Sequence, residues 1–153
     1  MQKIILANKS LRKHSVVWQE FCAFKAIAGQ FGLEFHAYFS DTDQDEFVSI
    51  SFTELASHLN DEECRLIYYG MPSWNEFETY LPLTRSLNFY RALNFNDTQR
   101  FEVQKYLNLG VIDYILSNEI DFNYGVKKKL ETLSIETLAQ NSDKLTRIMD
   151  LTR

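Results

Sequence analysis

Short apolar runs return along this chain at intervals, and between them lie longer segments whose apolar residues recur every three or four positions. That alternation constrains the fold more than any other feature of the sequence. KIILA (Lys3 to Ala7) and RLIYY (Arg65 to Tyr69) hold continuous apolar stretches, the pattern of strands covered on both faces. LEFHAYF (Leu33 to Phe39) alternates and is rich in aromatics, which also suits a strand. Ser86 to Leu93 and Val111 to Leu116 are further strand candidates, and Phe47 to Ile50 is a short one. Between them the period changes. Ser15 can cap a helix running to about Phe31, with Val17, Phe21, Phe24, Ile27, Ala28 and Phe31 along one side and Gly32 placed to end it. Ser51 to Glu54 and Ser73 to Glu76 are capping boxes, in which serine accepts from a backbone N–H and glutamate reaches back. They open helices to Leu59 and to about Pro82. Thr98 to Leu109 reads as a helix with Phe101, Lys105 and Leu109 on one face and Val103 and Leu107 beside it, and Asp121 to Leu133 as an amphipathic helix. Ser142 to Arg153 suits strand or helix.

Strands alternating with helices predict an α/β fold: an open, mostly parallel, doubly wound sheet with helices on both faces and right-handed crossovers. A length of 153 residues fits one domain. The net charge is −5 and the lysines and arginines do not dominate any patch, which argues against nucleic acid as a partner. Cys22 and Cys64 form no CxxC pair and read as reduced thiols of a cytoplasmic protein. The apolar run Ile4 to Ala7 is too short for a signal segment, and nothing approaches the roughly 20 apolar residues of a membrane span. Peripheral contact with the inner membrane face remains compatible with the sequence.

In such a sheet, ligands bind beyond the C-terminal strand ends, here Asn8 to His14, Ser40 to Asp45, Gly70 to Trp74, Leu93 to Asp97 and Ser117 to Glu119. The first of these loops carries Lys9, Arg12, Lys13 and His14 just before a helix N-terminus, which suits a phosphate or carboxylate. A solvated basic loop is the plainer alternative. No glycine stands there, so neither GxGxxG nor a P-loop is present. His14, His36 and His58 have no partner at metal-ligand spacing, so no metal site is expected: His36 reads as a packed, satisfied strand residue, and His58 as a residue favouring the negative end of its helix. Asp41, Asp43, Asp45 and Glu46 read as a solvated acidic loop, because a calcium loop would need a glutamate where Phe52 stands. Trp74 either stacks on a sugar or lipid-linked acceptor or folds back as a hydrophobic staple.

RLIYYGMPSWNEFETYL, SLNFYRALNFNDTQRFE and VIDYILSNEIDFNYGVKKKLETL follow one another in an order that resembles the N-terminal, acceptor-side domain of retaining glycosyltransferases with the two-domain GT-B fold. Tyr90 matches that family's Tyr-His-Asn strand end, while Arg91-Ala92 stands in place of His-Asn. The resemblance, spanning roughly Lys3 to Leu133, implies a Rossmann-like half of a GT-B fold that binds a glycan or glycolipid acceptor. The contacts it implies are Tyr90, with Arg12, Lys13, His14 and Arg91 on anionic groups, stacking on Trp74, and hydrogen bonds from Asn94 and Asn96. It implies no catalytic residue and no cofactor in this chain. A nucleotide sugar is expected as donor only with a second domain, supplied by continuation of the chain or by a partner chain, and the chain alone is expected to be inactive. Two other readings stand beside it: a small acidic protein-binding module (an inhibitor, immunity or adaptor protein), and a doubly wound domain that binds a small anion.

Overall fold

The computed structural model describes residues 2–70, 84–93, 97–117, 131–134 and 142–151. The elements in chain order are β1 (Lys3–Ala7), β2 (Ser10–Leu11), α1 (Val16–Gln30), β3 (Glu34–Tyr38), β4 (Asp41–Thr42), α2 (Phe52–Leu59), β5 (Cys64–Tyr68), β6 (Leu87–Ala92), α3 (Asp97–Asn108), β7 (Tyr114–Ser117), β8 (Glu131–Ser134) and α4 (Ser142–Asp150). Among the described residues the main sheet has six strands in the order β3-β1-β5-β6-β7-β8. Every pairing in it is parallel. Counting only main-sheet strands, the order is 2-1-3-4-5-6, which places the reversal of winding between β1 and β5. The expected open, parallel, doubly wound sheet is therefore what forms.

Strand periodicity sorts the core into two layers. Ile4 and Leu6, with Ala37, Ile67, Phe89 and Leu116, meet Phe21, Phe24, Ile27 and Ala28 of α1 and Leu145, Ile148 and Met149 of α4. Ile5 and Ala7, with Tyr38, Leu66, Tyr68, Tyr90 and Ile115, meet Leu55 and Leu59 of α2 and Val103 and Tyr106 of α3. Helices thus cover both faces, as an all-parallel sheet requires.

Local signals act where the sequence places them. The Ser15 side chain accepts from Trp18 N at the start of α1, and Gly32 takes a φ of 65° just past its end. Both bonds of the Ser51–Glu54 capping box form, at 3.1 and 3.2 Å. The second capping box lies outside the described residues. Phe47 to Ile50 contributes only an isolated bridge, Ala37 to Ser49, in place of a strand. On α3 the packed positions are Val103 and Tyr106, whereas Phe101 and Leu109 face outward, because the helix turns its other side to the sheet. Glu131 to Leu133, expected to end a helix, is instead paired with β7 as a strand. Residues 121–130 lie outside the described residues. The ambiguous C-terminal segment is the helix α4, whose Leu145, Ile148 and Met149 fall at i, i+3 and i+4 on the core side. Among the described residues no helix is long and apolar enough to cross a membrane.

Buried Arg65 fastens α4 to the sheet. Its Nη2 donates to Met149 O at 3.0 Å and Leu151 O at 3.1 Å, and its Nη1 donates to Glu62 O at 2.9 Å. The carbonyls of Met149 and Leu151 lie at a helix end and lack helical partners, Glu62 O belongs to the loop before β5, and the guanidinium also complements the helix dipole. Arg65→Ala should therefore lower stability by about 2–3 kcal/mol, since buried acceptors lose charged donors. Urea unfolding should show this, with amide exchange in α4 accelerated first.

Burial pushes the Cys64 thiol up to about 12. Its folded pKa lies above that of a free thiol, about 8.5, so the neutral form is favoured in the native state. That contribution to stability is complete below about pH 8.5 and is lost as pH rises toward 12. A thiol reagent at pH near 8 should label only half-buried Cys22 in the native protein, and both cysteines in denaturant.

Candidate functional site

The crevice at a winding reversal is the position a doubly wound sheet offers to ligands. Here it lies between the loop after β1 and the loop after β5. The two loops touch: a Cβ on Gly70 would stand 3.6 Å from Asn8 Oδ1, and Tyr69 N donates to Ala7 O at 2.9 Å. The Asn8 side chain in turn donates to Ser10 O at 2.7 Å, which holds the start of the basic loop.

That loop is tied to the acidic loop that the sequence suggested was merely solvated. β2 and β4 pair in parallel, Ser10 with Asp41 and Leu11 with Thr42. Thr42 Oγ1 donates to Leu11 O at 2.6 Å, and Lys13 N donates to Asp43 Oδ1 at 2.7 Å. Arg12 Nη2 meets Asp41 Oδ2 at 2.9 Å, with the two side chains 50% and 60% exposed. An ion pair so wet contributes at most about 1 kcal/mol, so the backbone and hydroxyl bonds hold the two loops together. Buried Gln44 shapes the rest of the acidic loop, donating to Phe47 O at 3.1 Å and accepting from Phe47 N at 2.8 Å.

His14 closes the basic loop with a φ of 66°, in the left-handed region that non-glycine residues rarely occupy. Its ring stands edge-on to Trp18 at 5.3 Å, and its carbonyl accepts from Gln19 Nε2 at 3.2 Å. Strain of this kind, about 1–3 kcal/mol, persists only where the surroundings fix it, and it concentrates at binding sites. The first turn of α1 holds no carboxylate. Lys9, Arg12, Lys13 and His14 are all exposed beside that helix start.

The residues of the β6 end behave differently. Tyr90 is fully buried among Tyr68 and Tyr106, with ring centroids 5.5 and 5.4 Å away. Arg91 is 1% exposed and points into the α1 layer. Its Nε and Nη2 meet Glu20 Oε1 and Oε2 at 2.9 and 2.8 Å, and its Nη1 donates to Ala92 O and Leu116 O at 3.1 and 3.3 Å. Tyr69 OH donates to the same Glu20 Oε1 at 2.6 Å. Burial first, and the Glu20 charge second, hold the Tyr69 phenol well above its usual pKa. Expected from sequence to contact an acceptor, Tyr90 and Arg91 are instead buried on opposite faces of the sheet, each beneath the helices that cover its face. Trp74, Asn94 and Asn96 lie outside the described residues. Sequence reasoning missed Glu20 and Tyr69, and one signal was present: a charged strand residue, Arg91, needs a buried counter-charge.

Removing one partner of this pair leaves the other charge stranded. Glu20→Leu or Arg91→Met alone should each destabilise the protein by about 3 kcal/mol, and the double variant by clearly less than the sum. Chemical denaturation of the four proteins in this cycle measures the coupling.

Comparisons with protein-family models, with curated proteins and with solved structures returned no match to this chain. The site is thus defined by its own geometry: an exposed basic loop, a strained histidine and a helix start at the winding reversal.

Proposed function

We propose that this chain is a ligand-binding α/β domain that takes an anionic group of a glycan or glycolipid acceptor at the crevice between β1 and β5, as the acceptor-side half of a GT-B-type glycosyltransferase. The observation that carries the anionic part is the Lys9–His14 loop, presented before the capped, carboxylate-free start of α1 at the reversal of winding. Helix N–H groups and the dipole favour negative charge at that position. Lys13 and His14 are exposed and supply charge-assisted contacts, while Arg12 is shared with Asp41. The acceptor class rests on the resemblance of the β5–β7 region to that enzyme family. In this role the domain binds and orients the acceptor, and the donor nucleotide sugar is bound by a second domain.

Backbone amide NMR during titration with phosphorylated or carboxylated oligosaccharides and with detergent-solubilised glycolipids tests this. Shifts should concentrate in residues 8–18 and 69–70, and Lys13→Ala should weaken binding about tenfold, the loss of one charge-assisted contact. Shifts with inorganic phosphate but with none of these acceptors would remove the glycosyltransferase assignment and leave a small-anion site. A specific complex with a nucleotide sugar at this crevice would overturn the acceptor assignment outright.

A further inference from the structure

We propose that Glu34, His36 and His58 form a binding site for a divalent cation of the zinc type, on the edge of the sheet beneath α2 and apart from the crevice. The sequence keeps His36 and His58 far apart, and no ligand spacing joins them. The fold brings them together in two steps. Glu34 and His36 alternate on β3, so both stand on the face that α2 covers, in register with Lys3 and Ile5 of β1. Leu55 and Leu59 then anchor α2 against Ile5 and Tyr38, which sets His58, in the last turn, over the edge strand.

One donor atom from each of the three residues lies within 4.8 Å of the others. Ligands about 2.0–2.1 Å from a tetrahedral ion are about 3.4 Å apart, so a closure of roughly one ångström completes the set. Glu34 Oε2 and His36 Nε2 are already 3.0 Å apart. That approach is not aligned as a hydrogen bond, and buried His36 Nε2 has no hydrogen-bond partner among the described residues. A buried ring nitrogen without a partner is an unfavourable feature that a metal bond would remove. The two rings lie 4.5 Å apart and 23° from parallel, stacked over the edge strand. Two imidazoles and a carboxylate suit zinc over magnesium or calcium, and they leave a fourth position for water. His36, expected from sequence to be packed and satisfied, has Glu34 Oε2 beside its Nε2 but no aligned hydrogen bond there.

Lys3 competes for the site. Its ammonium lies 3.1 Å from His58 Nδ1 and 3.3 Å from Asp61 Oδ2. Metal binding requires Lys3 to give up His58 and remain with Asp61, so removing its charge should tighten the site.

Tag-free protein, stripped with chelator, is titrated with Zn2+ by calorimetry and with Co2+ by visible absorption. One equivalent should bind, with the intense absorption of a tetrahedral cobalt site. His36→Ala and His58→Ala should each weaken Zn2+ binding by about 100-fold or more, and Glu34→Gln by about tenfold. Lys3→Met should strengthen it about tenfold. His14→Ala and Cys64→Ser should leave it unchanged. Circular dichroism checks the fold of each variant, and His36→Gln replaces any that fails. Failure of wild-type protein to bind, unaltered affinity in folded His36 and His58 variants, or loss of binding in Cys64→Ser would overturn the site.

Discussion

The register of β1 against its two neighbours is the constraint from which both candidate sites follow. Ile4 and Leu6 face α1, and Lys3, Ile5 and Ala7 face α2. A slip of one residue on β3 would carry Glu34 and His36 into the α1 layer and Phe35 and Ala37 out of it. That would bury a carboxylate among phenylalanines, at a penalty of several kcal/mol, so the pairing has a single acceptable solution. The same parity points Arg65 and Arg91 toward α1 and α4 and leaves Tyr68 and Tyr90 on the opposite side. Inward arginines are tolerable because each meets fixed acceptors, helix-end carbonyls for one and Glu20 for the other.

These two guanidiniums divide the labour of assembly. Arg65 secures the C-terminal helix at the N-terminal edge of the sheet, and Arg91 joins α1 to β6 near the opposite edge. Through Glu20 the second pair also reaches Tyr69, one residue before Gly70 at the crevice. A change at Arg91 is thus expected to act on ligand binding through position and stability, without any contact to the ligand.

Five strands of the main sheet (β1, β3, β5, β6 and β7), the parallel pairing and the first helices with their caps were legible in the sequence because periodicity and capping are local, whereas Glu131 to Leu133 read as the end of a helix. The C-terminal edge as the place for a ligand followed from topology alone. What was not legible depends on contacts between distant segments. Tyr90 and Arg91 carry side chains that sequence associates with binding, but helices packed on both faces of the sheet bury them, one on each side. The pairing of β2 with β4 needed the ends of two different strands to meet beyond the sheet. The approach of His58 to His36 needed a helix crossing angle, which no spacing rule encodes. Phe101 misled for a related reason: on a helix with few apolar residues, the periodic pattern did not single out the Val103 and Tyr106 side that packs.

The joining of the basic and acidic loops bears on what the crevice can hold. Arg12 pairs with Asp41 and the Lys13 backbone with Asp43, and Asp45 and Glu46 follow in the same loop, so the local field does not gather anions from a distance. A polyanion laid across this edge would meet the carboxylates as well as the lysines, in accord with the overall charge of −5. A single anionic group at the start of α1 escapes that repulsion, because helix N–H groups are short-range and directional. The β2–β4 pairing also fixes the loop before a ligand arrives, so less binding energy is lost in ordering it. The arrangement thus suits a single localised negative charge better than a polyanion.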